Sequence, residues 1–280
     1  MLNYAYIDEI IVNALKEDIP FSDISTENLI DKNSISVVDL ICKEDGIIAG
    51  IDIFKRVFTI IGDIEVISFI SDGNAVKSGE KIAEIRGNTR KILMGERTAL
   101  NLLQRMSGVA TITKKFVNKV SHTKAVIVDT RKTTPGLRIL EKYAVTRAGG
   151  MNHRFNLSDG IMLKDNHIDA AGGIKNAVKK IRENSSFVRK IEVETENIDM
   201  VKEALDSNVD IIMLDNMDIN TAKSAIKLIG NKAIIEFSGN VSLDNVKEIA
   251  EIGVDYISIG ALTHSAKILD LSMKNLRSIN

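Results

Sequence analysis

Cysteine is almost missing from this 280-residue chain, in which Cys42 stands alone. A lone thiol can form no disulfide within the chain and can assemble no cysteine-based zinc site, so Cys42 is expected as a buried, reduced side chain. Proline is equally scarce at two residues, and no Pro-rich or Ser-rich linker and no low-complexity tract interrupts the sequence. Neither sign of charge dominates. Lys plus Arg number 37 against 38 Asp plus Glu, and a net charge of -1 draws the chain neither to nucleic acid nor to anionic membrane. Any anion must therefore be held by a local arrangement of charge. Long apolar runs are missing too: no segment approaches the ~18 residues of a spanning helix. The opening MLNYAYIDEI carries Asp8 and Glu9 early, unlike a signal peptide, so the cytoplasm is the expected location. No Gly-x-Gly-x-x-Gly, no Walker-type loop and no His-x-x-x-His pair occurs, which argues against a dinucleotide fold and a transition-metal site.

What is present is alternation. From about Lys124, short Val/Ile-rich runs are separated by helical patterns: KAVIVDT (124–130), GIMLK (160–164), KIEVE (190–194), DIIMLD (210–215), AIIEFS (233–238) and YISIG (256–260). The intervening IKNAVKKIREN, NIDMVKEALDS, INTAKSAIKLIG and LDNVKEIAEIG repeat apolar residues at three- and four-residue intervals. Six βα repeats predict a parallel α/β barrel or open barrel. The first hundred residues differ, with an opening helix, Asp-Gly punctuation at Asp45-Gly46 and Asp72-Gly73, and a long helical pattern from about Glu96. They are expected to form a separate α+β domain. The piece from Ser71 to Gly87 looks like half of a biotinyl or lipoyl carrier, but it lacks the carrier motif around an exposed hairpin lysine and reads as an ordinary strand-turn-strand.

In a βα barrel the chemistry sits at the C-terminal ends of the strands, where the βα loops converge. Those ends are Asp129-Thr130-Arg131-Lys132, then Lys164, Glu194, Asp215, Ser238-Gly239-Asn240 and Gly260-Ala261. Cations, carboxylates and small residues in that order suit a polyanion and a hard metal. Between Arg131 and Lys164 there are seven Lys or Arg against Glu141 and Asp159, a local surplus in a chain that is nearly neutral. Arg131, Lys132, Arg154 and Lys164 lie at or near strand ends and are expected in the site. Arg138, Lys142 and Arg147 fall on a helical pattern and are expected as a solvated basic face. Glu194 and Asp215 could share one Mg²⁺, or Asp215 could cap a helix and Glu194 pair with a lysine. Ser238-Gly239-Asn240 and Gly260-Ala261 stand where barrels hold phosphate on backbone N–H groups. His153 precedes Arg154 in a Gly-rich loop and could donate to a carboxylate or orient the arginine. His122, His167 and His264 are expected as surface or capping residues.

The segments ERTALNLLQRMSG (96–108), DTRKTTPGLR (129–138), KYAVTRAGGMNHRFNLSDGIMLKDNHI (142–168), EVET (192–195), IIMLDN (211–216), EFSGN (236–240) and GVDYISIGALTHS (253–265) resemble those of the quinolinate phosphoribosyltransferase family. One departure is Ala148-Gly149-Gly150 where three glycines are usual. The resemblance spans nearly the whole chain. It implies an N-terminal α/β sandwich over residues 1–107 and an incomplete, open α/β barrel over residues 108–280, with the last ~15 residues returning to the N-terminal domain. It implies transfer of phosphoribosyl from phosphoribosyl pyrophosphate to quinolinate with loss of carbon dioxide, in NAD biosynthesis. Arg97, Arg131, His153 and Arg154 would then bind the quinolinate carboxylates, with Lys132 and Lys164 near the pyrophosphate or reacting ring. Glu194 and Asp215 would serve Mg²⁺ and the ribose; Thr130, Ser238, Gly239, Asn240, Ile259, Gly260 and Ala261 would complete the substrate site. A homodimer with Arg97 contributed across the interface is expected, against Arg97 as a plain surface residue. Three rivals remain: a related transferase acting on another carboxylated ring, a Schiff-base lyase using Lys164, and a carrier module.

Overall fold

The computed structural model describes residues 3–279. Two compact units interleave along the chain: one joins the chain up to Lys114 with Thr133–Gly149 and the residues from Leu262 on, the other Lys115–Lys132 with Gly150–Ala261.

The first unit opens with α1 (Tyr4–Asp18), started by the Asn3 side chain accepting from the Ala5 N–H, and α2 (Ile24–Leu29), capped likewise by Asp23 on Thr26. Then come β1 (Ile35–Cys42), β2 (Gly46–Ile47), α3 (Ile51–Ile61), β3 (Ile64–Ser68), β4 (Ala75–Val76), β5 (Lys81–Asn88) and the long α4 (Thr89–Val120). Helix α3 buries Ile53, Phe54, Val57 and Phe58 on one stripe, and the two phenylalanine rings meet edge to face at 5.2 Å. The carrier-like piece is β4 and β5; Lys77 between them is paired with Asp45 at 2.8 Å.

Along the chain α4 is followed by β6 (Val126–Val128) and α5 (Arg138–Arg147), the latter part of the first unit. The expected solvated face of α5 is only partly so: Arg147 is exposed, but Lys142 is 1% exposed and Glu141 is fully buried, where it receives Arg105 Nη2 at 2.7 Å. The pattern of charges misled because a buried ion pair carries the same letters as a solvated one.

The remaining elements are β7 (Ile161–Leu163), α6 (Asp165–Ala171), α7 (Ile174–Asn184), β8 (Ile191–Thr195), α8 (Ile198–Asp206), β9 (Ile211–Asp215), α9 (Ile219–Ile229), β10 (Ile234–Ser238), α10 (Val246–Glu251), β11 (Tyr256–Ser258), α11 (Ala261–His264) and β12 (Leu271–Ser278). In the first unit the antiparallel order is β12-β1-β5-β3, so the C-terminal strand lies on β1, with Met273 opposite Leu40. In the second unit six parallel strands run β6-β11-β10-β9-β8-β7. All six runs read from the sequence are strands, each within the expected span or ending one residue beyond it. The fold is an α/β protein with an antiparallel N-terminal sheet and a parallel six-stranded α/β domain. Cys42 is free and buried, and burial pushes its thiol up. Among the described residues no helix is long and apolar enough to cross a membrane.

Candidate active site

The parallel register aligns the strand ends. Ser238 of β10 lies beside Asp215 of β9, and Glu194 of β8 beside Met213 of β9. Because side chains alternate along a strand, residues two apart share a face, so Glu192 lies one layer below Glu194 and Glu236 below Ser238. Between the edge strands β6 and β7 runs an irregular segment, Met151–Arg154. Met151 donates from its N–H to the Ile127 carbonyl at 2.9 Å, and Arg154 donates from Nη1 to the Gly160 carbonyl at 3.1 Å. The segment thereby carries two functional candidates between the two edge strands.

A cavity of about 440 Å³ opens over these ends. Thr130, Arg131 and Lys132 line it after β6, His153 and Arg154 from the irregular segment, Met162 and Lys164 from β7, and Glu194 from β8. Met213, Asp215 and Asn216 come from β9, Glu236, Ser238, Gly239 and Asn240 from β10, and Ser258 from β11. Of the candidates read from the sequence, four do not line it. Ile259, Gly260 and Ala261 follow directly on Ser258 at the end of β11, with Ile259 buried, and Arg97 is exposed on α4 in the other unit.

Electrostatics within the cavity are uneven. Burial and the neighbouring Arg131 charge together hold Arg154 below the usual arginine range. Two guanidiniums lining one cavity suit an anion there. Lys164 Nζ is ion-paired with Glu194. Asp215 Oδ2 accepts from Asn216 Nδ2 at 2.7 Å, and Asn216 Oδ1 in turn accepts from Asn240 Nδ2 at 3.1 Å. Asn216 and Asn240 adopt left-handed backbone at φ 53° and 50°, which asparagine tolerates. Gly239 between them has φ +88°, and a Cβ there would stand 2.2 Å from Asn216 Oδ1, so only glycine fits. The helices after these loops are short: α10 has six residues and α11 four. Loop amides, rather than a long helix dipole, are the phosphate donors on offer.

Two residues escaped the sequence reading. His153 Nε2 stands 3.2 Å from Glu192 Oε2 and 3.3 Å from Glu236 Oε2, and both glutamates are 3% exposed. Their ligand atoms lie within 4.8 Å of one another. They are 39 and 83 residues from His153 in sequence, so no spacing motif could have revealed them. The available signal was a carboxylate in the middle of an apolar strand, a residue type almost never buried unless paired. Burial alone would lower His153, but the hydrogen bonds to Glu192 and Glu236 outweigh it and raise it to about 10. Burial also pushes the Glu192 carboxyl up. Nδ1 already accepts the Arg154 N–H at 2.7 Å, so an added proton has no room there. The ring proton therefore sits on Nε2, facing the two carboxylates. Of the other histidines, His122 pairs with Glu251 at 2.9 Å and His167 Nδ1 accepts the Lys164 N–H at 3.1 Å, so the latter is a cap.

Comparison with known proteins agrees with this geometry. Residues 23–107 match the model of the quinolinate phosphoribosyl transferase N-terminal domain and residues 109–274 that of the C-terminal domain. The chain is 41% identical over 273 residues to a probable nicotinate-nucleotide pyrophosphorylase [carboxylating] of Bacillus subtilis, covering 97% of this chain and 94% of that one. It is 44% identical over 276 residues to a protein of the same description from Synechocystis, covering 97% and 93%. The crystal structure of NadC from Streptococcus pyogenes superposes with a TM-score of 0.96 at 43% identity, covering 100% of this chain and 99% of that one.

Proposed function

The chain belongs to the quinolinate phosphoribosyltransferase family, and we infer from that premise that it is the decarboxylating phosphoribosyltransferase acting on quinolinate in NAD biosynthesis. It transfers phosphoribosyl from phosphoribosyl pyrophosphate to the pyridine nitrogen and releases pyrophosphate and carbon dioxide, leaving nicotinate mononucleotide. The observation that carries this reading is that Arg131 and Arg154 line one cavity with Lys132 and Lys164. A dicarboxylate satisfies both forks, and planar bidentate recognition is what arginine does best.

In this reading Arg131 and Arg154 orient the ring, with the partner subunit's Arg97 completing the carboxylate clamp in a homodimer. Lys132 and Lys164 stabilise charge on the ring and the departing pyrophosphate, and Glu194 keeps Lys164 aimed through their ion pair. The Ser238-Gly239-Asn240 loop, with Ile259, Gly260 and Ala261, takes the phosphate, while Thr130 faces the same anion. No protein nucleophile is needed, so the rate comes from position and field. The donor set also suits Mg²⁺, because Asp215 supplies a hard oxygen in the cavity. Glu194 is already engaged by Lys164, so Asp215 and substrate oxygens would be the main ligands. When bound, the ion would neutralise charge on the pyrophosphate. We place the enzyme in the cytoplasm and its domain division at residue 107.

A Schiff-base lyase needs a neutral amine, and the Lys164 ion pair opposes one. Incubation with phosphoribosyl pyrophosphate, Mg²⁺ and, separately, quinolinate, nicotinate or nicotinamide tests the assignment. Quinolinate should be preferred by several powers of ten, because a ring with one carboxylate cannot engage both guanidiniums. Equal turnover of nicotinate would point instead to a paralogue for a monocarboxylated ring.

A further inference from the structure

The buried layer below the cavity holds more charge than the reaction uses. Glu192 and Glu236 each keep one oxygen, Oε1, buried without a hydrogen-bond partner within the protein. Leaving a buried acceptor unpaired is costly, so a pair of them needs a reason. A metal ion is one reason to weigh, since His153, Glu192 and Glu236 offer three ligand atoms in reach of one another. The imidazole argues against it. A metal-bound histidine almost always donates its other N–H, whereas Nδ1 here accepts the Arg154 N–H at 2.7 Å. Coordination through Nε2 would then leave an imidazolate beside two carboxylates. As a hydrogen-bonded array the same atoms make sense: Nε2–H is shared between Glu192 and Glu236, while Nδ1 accepts the backbone N–H of Arg154. The His153 N–H is held as well, by Asp129 Oδ1 at 2.9 Å, and Asp129 is fully buried.

We propose that Glu192 and Glu236 are positioning residues: they lock the His153 ring from the layer below, and His153 holds through its Nδ1 the backbone N–H of Arg154, and so the point of the chain from which the Arg154 side chain reaches into the cavity. The imidazole N–H is committed to the two glutamates, so His153 acts on the substrate through Arg154. This rests on the assignment of Arg154 to a substrate carboxylate. Asp129 anchors the same stretch of backbone from β6. Two buried acids aimed at one imidazole are a rigid mount for the Arg154 backbone, and the Arg154 guanidinium itself is tied to Gly160 O and, at 3.5 Å, to Met162 Sδ.

The test uses Glu192→Gln and Glu236→Gln in the full-length protein, each also combined with Arg154→Ala. Glutamine keeps the shape but weakens the hold on Nε2. kcat/KM for quinolinate should fall by up to about a hundredfold, as for a small misplacement of a binding group, while KM for phosphoribosyl pyrophosphate stays unchanged. In the Arg154→Ala background the same substitutions should cost little more, since the effect passes through that arginine. Melting temperatures should hold or rise, because a buried like-charged pair is being relieved. Unfolding of both variants, or losses that add fully to Arg154→Ala, would make the glutamates structural and overturn the proposal. Stoichiometric Zn²⁺ bound by wild type and lost in Glu192→Gln would overturn it in favour of a metal site. Wild type that fails to turn over quinolinate would instead sink the functional assignment, which is a separate result.

Discussion

At the scale of single residues, the site depends on which partner each carboxylate already has. Glu194 and Asp215 look equivalent in the sequence, one at each of two neighbouring strand ends. In the structure Glu194 carries the Lys164 ion pair and Asp215 only the Asn216 amide. Mg²⁺ dependence should separate them. Asp215→Asn should shift the Mg²⁺ activation curve to higher concentration, because a hard oxygen charge is lost from the metal. Glu194→Gln should leave that curve nearly in place and lower kcat, because it frees Lys164. Equal shifts in both titrations would return the two residues to a shared metal site. The same scale shows what letters alone cannot carry. Arg131, Lys132 and Lys164 could be placed at the cavity because strand ends converge by geometry. Glu192 and Glu236 were not, because their role depends on a histidine in a distant loop and their own neighbours are apolar.

At the scale of elements, strands were more legible than the irregular and returning pieces. β9 and β10 announce themselves by Ile-rich runs closed by a polar end, as suits strands covered on both faces, whereas β8 alternates Glu192 and Glu194 with apolar residues. The Met151–Arg154 segment has no periodicity, so its place between β6 and β7 could not be read. Helix α4 was read from Glu96 but begins at Thr89, because its first turn follows β5 directly. Its middle carries a second constraint, visible only in packing. Gly108 lies against the returning C-terminal segment, and a Cβ there would stand 1.9 Å from the Lys267 carbonyl oxygen. Glycine inside a helix costs about 1 kcal/mol relative to alanine, so an open site would gain from Gly108→Ala. Here the added methyl meets backbone, which cannot rotate away, and overpacking costs about 1–3 kcal/mol. The expected sign is destabilisation, a melting temperature lower by several degrees in differential scanning calorimetry. A rise would mean that the C-terminal segment yields at little cost.

At the scale of the whole molecule, the role proposed for Arg97 turns on a second copy of the chain. It is exposed on α4, in the unit that does not contain the cavity, yet it lies in one of the segments through which the chain resembles its family. A cation bound to act on a dicarboxylate has little reason to be exposed unless another copy of the chain supplies the site it faces. In an isologous dimer each interface residue occurs twice by symmetry, so each of two cavities would receive one Arg97 from the opposite chain. Arg97→Ala and Arg131→Ala should therefore each be nearly inactive alone, for different reasons. A heterodimer of the two has one cavity lacking both arginines and one lacking neither. Activity in verified heterodimers should return toward roughly one wild-type site per dimer, because the intact site needs nothing from the damaged one. If Arg97 acted on the cavity of its own chain, each site in the mixed dimer would carry one defect and no activity would return. Tagged co-expression with tandem purification isolates the mixed species, and its kcat per dimer, against that of wild type, decides between the two arrangements.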